Sequence, residues 1–173
     1  MNILGKFTPI RTFVFDVDGV LTDGTLLILD DGQMARRMNI KDGYALQLAI
    51  KKGYRVVIIS GGTSAAVKVR LDRLGVTDSF MQVESKKEKL AEYVQQHQLK
   101  WEEVLFMGDD IPDHQPMQMV GLPCCPADAA TEIKQISIYI SPIEGGKGCA
   151  RDVIEKVLKL NGHWELDTNI SAK

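Results

Sequence analysis

The chain has 173 residues, of which 45% are hydrophobic and 25% charged, and a formal net charge of −2. That size suits one domain able to bury most of what its unfolded form exposes, and the charge balance excludes a general nucleic-acid or anionic-membrane binder. The apolar runs are strand-length, far short of the roughly 20 residues a membrane helix needs, and no secretory leader pattern opens the sequence, so a cytoplasmic protein is expected.

In chain order, residues 12–16 (TFVFD) form the first predicted strand, an apolar run ending in Asp16, with Asp18 and Gly19 close behind. Residues 24–40 read as strand, Asp-Asp-Gly turn and strand, a β-hairpin. Ligands in open α/β sheets sit beyond the carboxyl ends of the strands, so this hairpin is placed to overhang a site there. A helix is expected over 42–53, with Asp42 as its N-cap and Gly53 as its stop. Residues 55–60 (RVVIIS) are a second strong strand that runs into Gly61-Gly62, and a helix over 64–75 follows, starting at Ser64. A weaker strand at 79–83 leads to a helix over 86–99, whose Leu90, Tyr93, Val94 and His97 fall on one face. The third strong strand, 104–109 (VLFMGD), leads into Asp110. Weaker strands at 121–125 and 137–141, a helix over 148–162 and a loosely ordered tail at 163–173 complete the pattern.

Runs apolar on both faces, alternating with helices, predict an α/β doubly wound, mostly parallel sheet with helices on both sides. The expected organisation is a single domain over 1–162, with 24–40 as a flap and 163–173 as a C-terminal tail. Cys124, Cys125 and Cys149 have neither zinc spacing nor a bridging pattern and read as small buried residues. His97, His114 and His163 read as surface or supporting residues, and Trp101 and Trp164 as packing residues. Pro116 falls in the short helix expected after residue 110, where only the first turn tolerates it.

Parallel strands put their carboxyl ends on one edge, so Asp16, Asp18, Ser60, Gly61, Asp109 and Asp110 converge. Several carboxylates there require a cation to coexist ionised, and an all-oxygen ligand set favours Mg²⁺. With phosphate neutralised by such a cation, one aspartate can attack phosphorus and a second can move the proton. Ser60 and the N–H groups of the glycine turn can donate to phosphate oxygens, and Lys86 or Lys87 can reach the same edge.

The motifs DVDGVLTDG, IISGG, the lysine heading residues 86–99, and GDDIPD occur in the order of the haloacid dehalogenase-like (HAD) phosphohydrolase superfamily, which the chain resembles. The resemblance implies Asp16 as nucleophile and Asp18 as general acid/base. It implies a metal held by the Asp16 carboxylate, the Asp18 carbonyl and Asp109, with Asp110 and Asp113 supporting it, and Lys86 as the phosphate lysine. No cap domain fits between the motifs; the hairpin stands in its place. A site so open calls for cover from another subunit, hence a homo-oligomer.

This capless layout, with NIKDG and GGKG as further motifs, resembles the 3-deoxy-D-manno-octulosonate 8-phosphate (KDO 8-phosphate) phosphatases over roughly residues 10–162. Those are homotetramers of lipopolysaccharide precursor synthesis. The resemblance implies substrate contacts from Asn39, Ile40, Lys41, Asp42 and Gly43 and from Arg70 and Arg73, whose guanidinium groups suit a carboxylate. It leaves Mn²⁺ or Co²⁺ open beside Mg²⁺, and gives Lys147 and Arg151 a place near the site or on the surface. A related branch acting on nine-carbon keto acids carries an acidic residue where this chain has Gly62, which favours the eight-carbon substrate. Phosphomutases need a cap that is missing here. A receiver domain orders its acids and lysine differently, and an idle scaffold has no use for all of Asp16, Asp18, Ser60, Lys86 and Asp109.

Overall fold

The computed structural model describes residues 3–171, so the outermost two residues at each end of the expected domain and tail lie outside the described residues. Six strands form a parallel sheet: β1 (Thr12–Phe15), β4 (Arg55–Ile59), β5 (Asp78–Phe80), β6 (Val104–Met107), β7 (Leu122–Cys125) and β8 (Tyr139–Ile140). Their order is β5-β4-β1-β6-β7-β8, so β1 lies centrally, in register with β4 (Phe15 opposite Ile58) and with β6 (Phe15 opposite Met107). Every strong strand expected from its apolar run is present.

Alternation along these strands explains why the runs are apolar throughout. Phe13, Phe15, Val56, Ile58, Leu105 and Met107 enter one buried cluster; Val14, Val57, Ile59, Val104 and Phe106 enter another on the opposite face. Helices α1 (Ile40–Lys51), α2 (Ala65–Arg73) and α6 (Cys149–Leu160) cover the first face through Leu46, Val67, Leu71, Val153 and Ile154. Helices α3 (Lys86–Gln96), α4 (His114–Met117) and α5 (Thr131–Ile136) cover the second through Leu90, Val94, Met117 and Ile133. Each fully buried Phe or Leu contributes about 1.5–3 kcal/mol of transfer free energy, which fixes the sheet and its carboxyl edge as one rigid frame.

Three expectations need correction. Helix α1 starts earlier than expected: Asn39, not Asp42, is its N-cap and accepts the Lys41 N–H at 2.8 Å. Asp42 instead lies buried in the first turn, where its carboxylate accepts the Arg151 N–H at 2.8 Å. The hairpin is smaller than its sequence suggested, with two-residue strands β2 (Leu27–Ile28) and β3 (Met34–Ala35) and one further antiparallel bridge, Thr22–Met38, toward its base. The segment after α6 is docked rather than loose. Tyr54 and His163 share a hydrogen bond of 2.9 Å, Trp164 packs edge-on against Tyr44, and Lys51 and Lys52 pair with Asp167 and Glu165.

The three cysteines are free and buried, and burial pushes their thiols up. Pro116 sits within the first turn of the one-turn helix α4, where its missing N–H carries no cost. Among the described residues no helix is long and apolar enough to cross a membrane.

Candidate active site

The β1–β6 ladder continues past the strand end, with the Asp16 N–H donating to Met107 O at 3.1 Å. This places the Asp16 side chain at the carboxyl edge, where its Oδ1 accepts the Val17 N–H at 2.7 Å and meets Lys86 Nζ at 2.9 Å. Residues Val17–Leu21 then make one wide helical turn, closed by the Thr22 N–H on Val17 O at 3.0 Å. Gly19 takes a φ of +88° inside it, and a Cβ there would stand 1.9 Å from Asp109 Oδ2. Glycine thus lets the first and fourth motifs touch.

Lys86 opens α3 behind the cap Ser85, whose Oγ accepts the Glu88 N–H at 3.3 Å. Its ammonium is buried between Asp16 and Asp113, donating to Asp113 Oδ1 at 2.6 Å. Despite its desolvation, Asp113 and Asp16 hold it above its ordinary pKa. Lys87 is exposed, so of the two candidate lysines Lys86 faces the cluster. The other oxygen of Asp113 accepts the Asp109 N–H at 3.1 Å. With both oxygens engaged, fully buried Asp113 braces Lys86 and the fourth-motif backbone.

Ligand atoms of Asp16, Asp109 and Asp113 lie within 4.8 Å of one another. Burial, then the Asp113 charge, push the Asp16 carboxyl up to about 7, and burial with Asp16, Asp113 and Asp110 pushes Asp109 up to about 8. The Asp109 Oδ1 is buried without a hydrogen-bond partner among the described residues. Crowded carboxyls with an orphaned oxygen are what a divalent cation relieves, and the all-oxygen donors suit a hard one. The residues present fit such an ion.

Ser60, buried at the end of β4, accepts the Gly62 N–H on its Oγ at 3.2 Å. Gly62's donor is therefore used internally, while Gly61 is exposed. Asp16, Asp18, Ser60, Gly61, Lys86, Asp109, Asp110 and Asp113 all line one cavity of about 280 Å³. Asp110 is exposed at its rim and caps the turn that follows, accepting the Ile111 N–H at 2.8 Å.

The expected substrate contacts divide. Ile40 and Arg70 line a neighbouring cleft of about 830 Å³ between the hairpin and α2, while Arg73 in the last turn of α2 lies outside that lining. Two Arg70 nitrogens, Nε and Nη2, are buried without a partner among the described residues. Asn39 donates to Gly146 O at 3.4 Å, which ties the flap base to the loop before α6. Gly43 is buried beside Asp42, and Lys41 lines a separate basic cavity with Lys147 and Arg151. Arg151 itself lies over the rings of Tyr44 and Trp164, 5.6 and 5.3 Å from their centroids.

One site residue escaped the sequence. Arg36, on the returning arm of the hairpin, donates from Nε to Asp18 Oδ1 at 2.6 Å and from Nη2 to Asp18 Oδ2 at 3.3 Å. The only signal was a pair of cations, Arg36-Arg37, on that arm; which of them turns inward depends on hairpin register.

No protein-family model matches the chain. It is 30% identical to the KDO 8-phosphate phosphatase KdsC of Escherichia coli K12, over 93% of this chain and 86% of that one. The chain belongs to the KDO 8-phosphate phosphatase family. The crystal structure of the family's Moraxella catarrhalis phosphatase, in complex with magnesium, phosphate and KDO, superposes with a TM-score of 0.88 at 28% identity, covering 91% of each chain. A cobalt-bound family structure from Haemophilus influenzae gives 0.86 at 27% identity, over 91% of this chain and 92% of that one.

Proposed function

We propose that this protein is a Mg²⁺-dependent phosphatase that hydrolyses a phosphorylated keto sugar acid, KDO 8-phosphate, to KDO and phosphate. The observation that carries the reading is the corner where Asp16, Lys86 and Asp113 form one buried ion-pair chain beside the orphaned oxygen of Asp109. Phosphate enters with Lys86, the Ser60 hydroxyl and the Gly61 N–H around its oxygens. The Asp16 carboxylate attacks phosphorus, the bond from phosphorus to the sugar oxygen breaks, and Asp18 gives that oxygen a proton. The aspartyl-phosphate is then hydrolysed by water whose proton returns to Asp18. Asp16, the Asp18 carbonyl and Asp109 would hold Mg²⁺, with Asp110 and Asp113 supporting them; Mn²⁺ or Co²⁺ suits the same donors. The ion supplies charge neutralisation for the phosphate.

The cleft between flap and α2 receives the sugar acid, and the buried, partnerless nitrogens of Arg70 suit its carboxylate. Gly62, where the nine-carbon branch carries an acidic residue, supports the eight-carbon substrate; a side chain there would press on the Asp18 carboxylate, 2.9 Å from a Cβ. The flap exposes Leu27 at 64% and Ile28 at 69%, apolar surface suited to a neighbouring subunit, so a homotetramer with shared sites is part of the reading. Free buried cysteines suit the reducing cytoplasm.

A phosphate-release screen with Mg²⁺ tests it, using eight- and nine-carbon keto-acid phosphates and common hexose phosphates. Preferred turnover of KDO 8-phosphate is expected; equal slow turnover of all of them sinks the assignment.

A further inference from the structure

Among the described residues, the hairpin's charged contact with the catalytic residues is the fork of Arg36 on Asp18. The Arg36 side chain is 7% exposed although its hairpin is mostly solvent-facing, whereas Asp18 is 37% exposed at the mouth of the catalytic cavity. A third nitrogen, Nη1, donates to Met34 O at 3.1 Å, so the guanidinium is held by its own arm as well as by the acid. Arg36 also lines the large cleft, and Asp18 lines the catalytic cavity. Their pair therefore stands at the boundary between the two spaces. Gly62 lies against it: a Cβ there would approach Asp18 Oδ2 to 2.9 Å and Arg36 Nη2 to 3.3 Å. Gly62 has no left-handed backbone, so a side chain there is limited by space alone and would displace the Asp18–Arg36 pair.

A substrate with its phosphate in the small cavity and its body in the cleft must lie across this boundary. Asp18 cannot address the leaving oxygen while both its oxygens are capped by a guanidinium. An arginine carried on a small hairpin can be released, and its five donors in a planar fork match a carboxylate or phosphate equally well. We propose that Arg36 is a substrate-positioning residue that exchanges Asp18 for an anionic group of the bound sugar-acid phosphate, so that the flap closes over the substrate and frees Asp18 in the same movement. This rests on the function proposed above.

The test compares wild type, Arg36→Lys and Arg36→Met, all as full chains with Mg²⁺, on KDO 8-phosphate and on p-nitrophenyl phosphate, which has no carboxylate or sugar body. Loss of a charged fork is expected to lower kcat/KM for the sugar-acid phosphate about tenfold more than for p-nitrophenyl phosphate, mainly through KM, with Arg36→Lys recovering part of the difference. Gly62→Ala, which presses on the pair, is expected to cost less in the Arg36→Met background than in wild type. Equal losses on both substrates, with additive Gly62→Ala effects, reduce Arg36 to a fastener of the flap and overturn the inference while the function stands. A wild-type enzyme that ignores the sugar-acid phosphate but hydrolyses p-nitrophenyl phosphate removes the function and this inference together.

Discussion

The strand-end cluster and the hairpin flap meet at one ion pair, yet they are built on opposite terms. In the cluster Asp16, Lys86 and Asp113 are exposed by 7%, 6% and 0%, and each is anchored by a strand or helix packed into the core. In the flap two strands of two residues each carry Leu27 and Ile28 in solvent. A lone two-stranded hairpin is marginally stable in water. The chemistry is thus preorganised by the fold, while recognition is left to an element that needs something against it. The difference separates what a monomer of this chain can do from what an assembly can do.

Asp16→Asn strikes the preorganised half. It keeps the shape and removes the proposed nucleophile, so phosphate release should fall more than about a thousandfold with little change in thermal stability. An active variant would falsify the role given to Asp16.

A milder probe uses the pressure inside the cluster. Asp16 and Asp109 are raised from 3.8 to about 7 and about 8, so the folded chain binds their protons more tightly than the unfolded one. Metal-free protein should then lose stability as pH climbs from about 4 through 8. Added Mg²⁺ should restore it, with a Tm shift of about 5 °C or more at pH 8 and a smaller one at pH 6. Differential scanning fluorimetry reads both; a shift independent of pH, or one that survives Asp109→Asn, would contradict the cation site.

The flap half is broken by Ile28→Asp. An exposed side chain changes folding stability by less than about 0.5 kcal/mol, but a charge on the apolar hairpin should dissociate the proposed assembly in light scattering and lower activity several-fold. Full activity in a monomer removes the idea of a shared site.

The cluster was more legible in the sequence than the flap, for a physical reason. Apolar runs such as VVII and VLFM must be central strands, and in a parallel sheet their carboxyl ends must converge, so Asp16, Ser60 and Asp109 could be placed together without knowing strand order. Lys86 could not be separated from Lys87 until the helix phase was known. Asp42 was the expected cap, but Asn39 is an equally good capping residue three positions earlier, and only the folded helix shows that it is the one used. Arg36 was hidden because a short hairpin has too few residues to fix its register from pattern. The docking of residues 163–171 was equally hidden: it depends on scattered contacts by His163, Trp164 and Asp167, with no periodicity to announce a packed face.

The central position of β1, flanked by β4 and β6, has a consequence for synthesis. The segment carrying Asp16 and Asp18, just past β1, is made well before its partner β6 and the Asp109 and Asp113 that follow it. Pairing between segments so distant in sequence is slow and comes late in folding. A nascent or truncated product carries Asp16 and Asp18 as two ordinary solvated acids and cannot attack the phosphate esters around it. Hydrolytic power is switched on by topology, when the late strand slots in beside the early one.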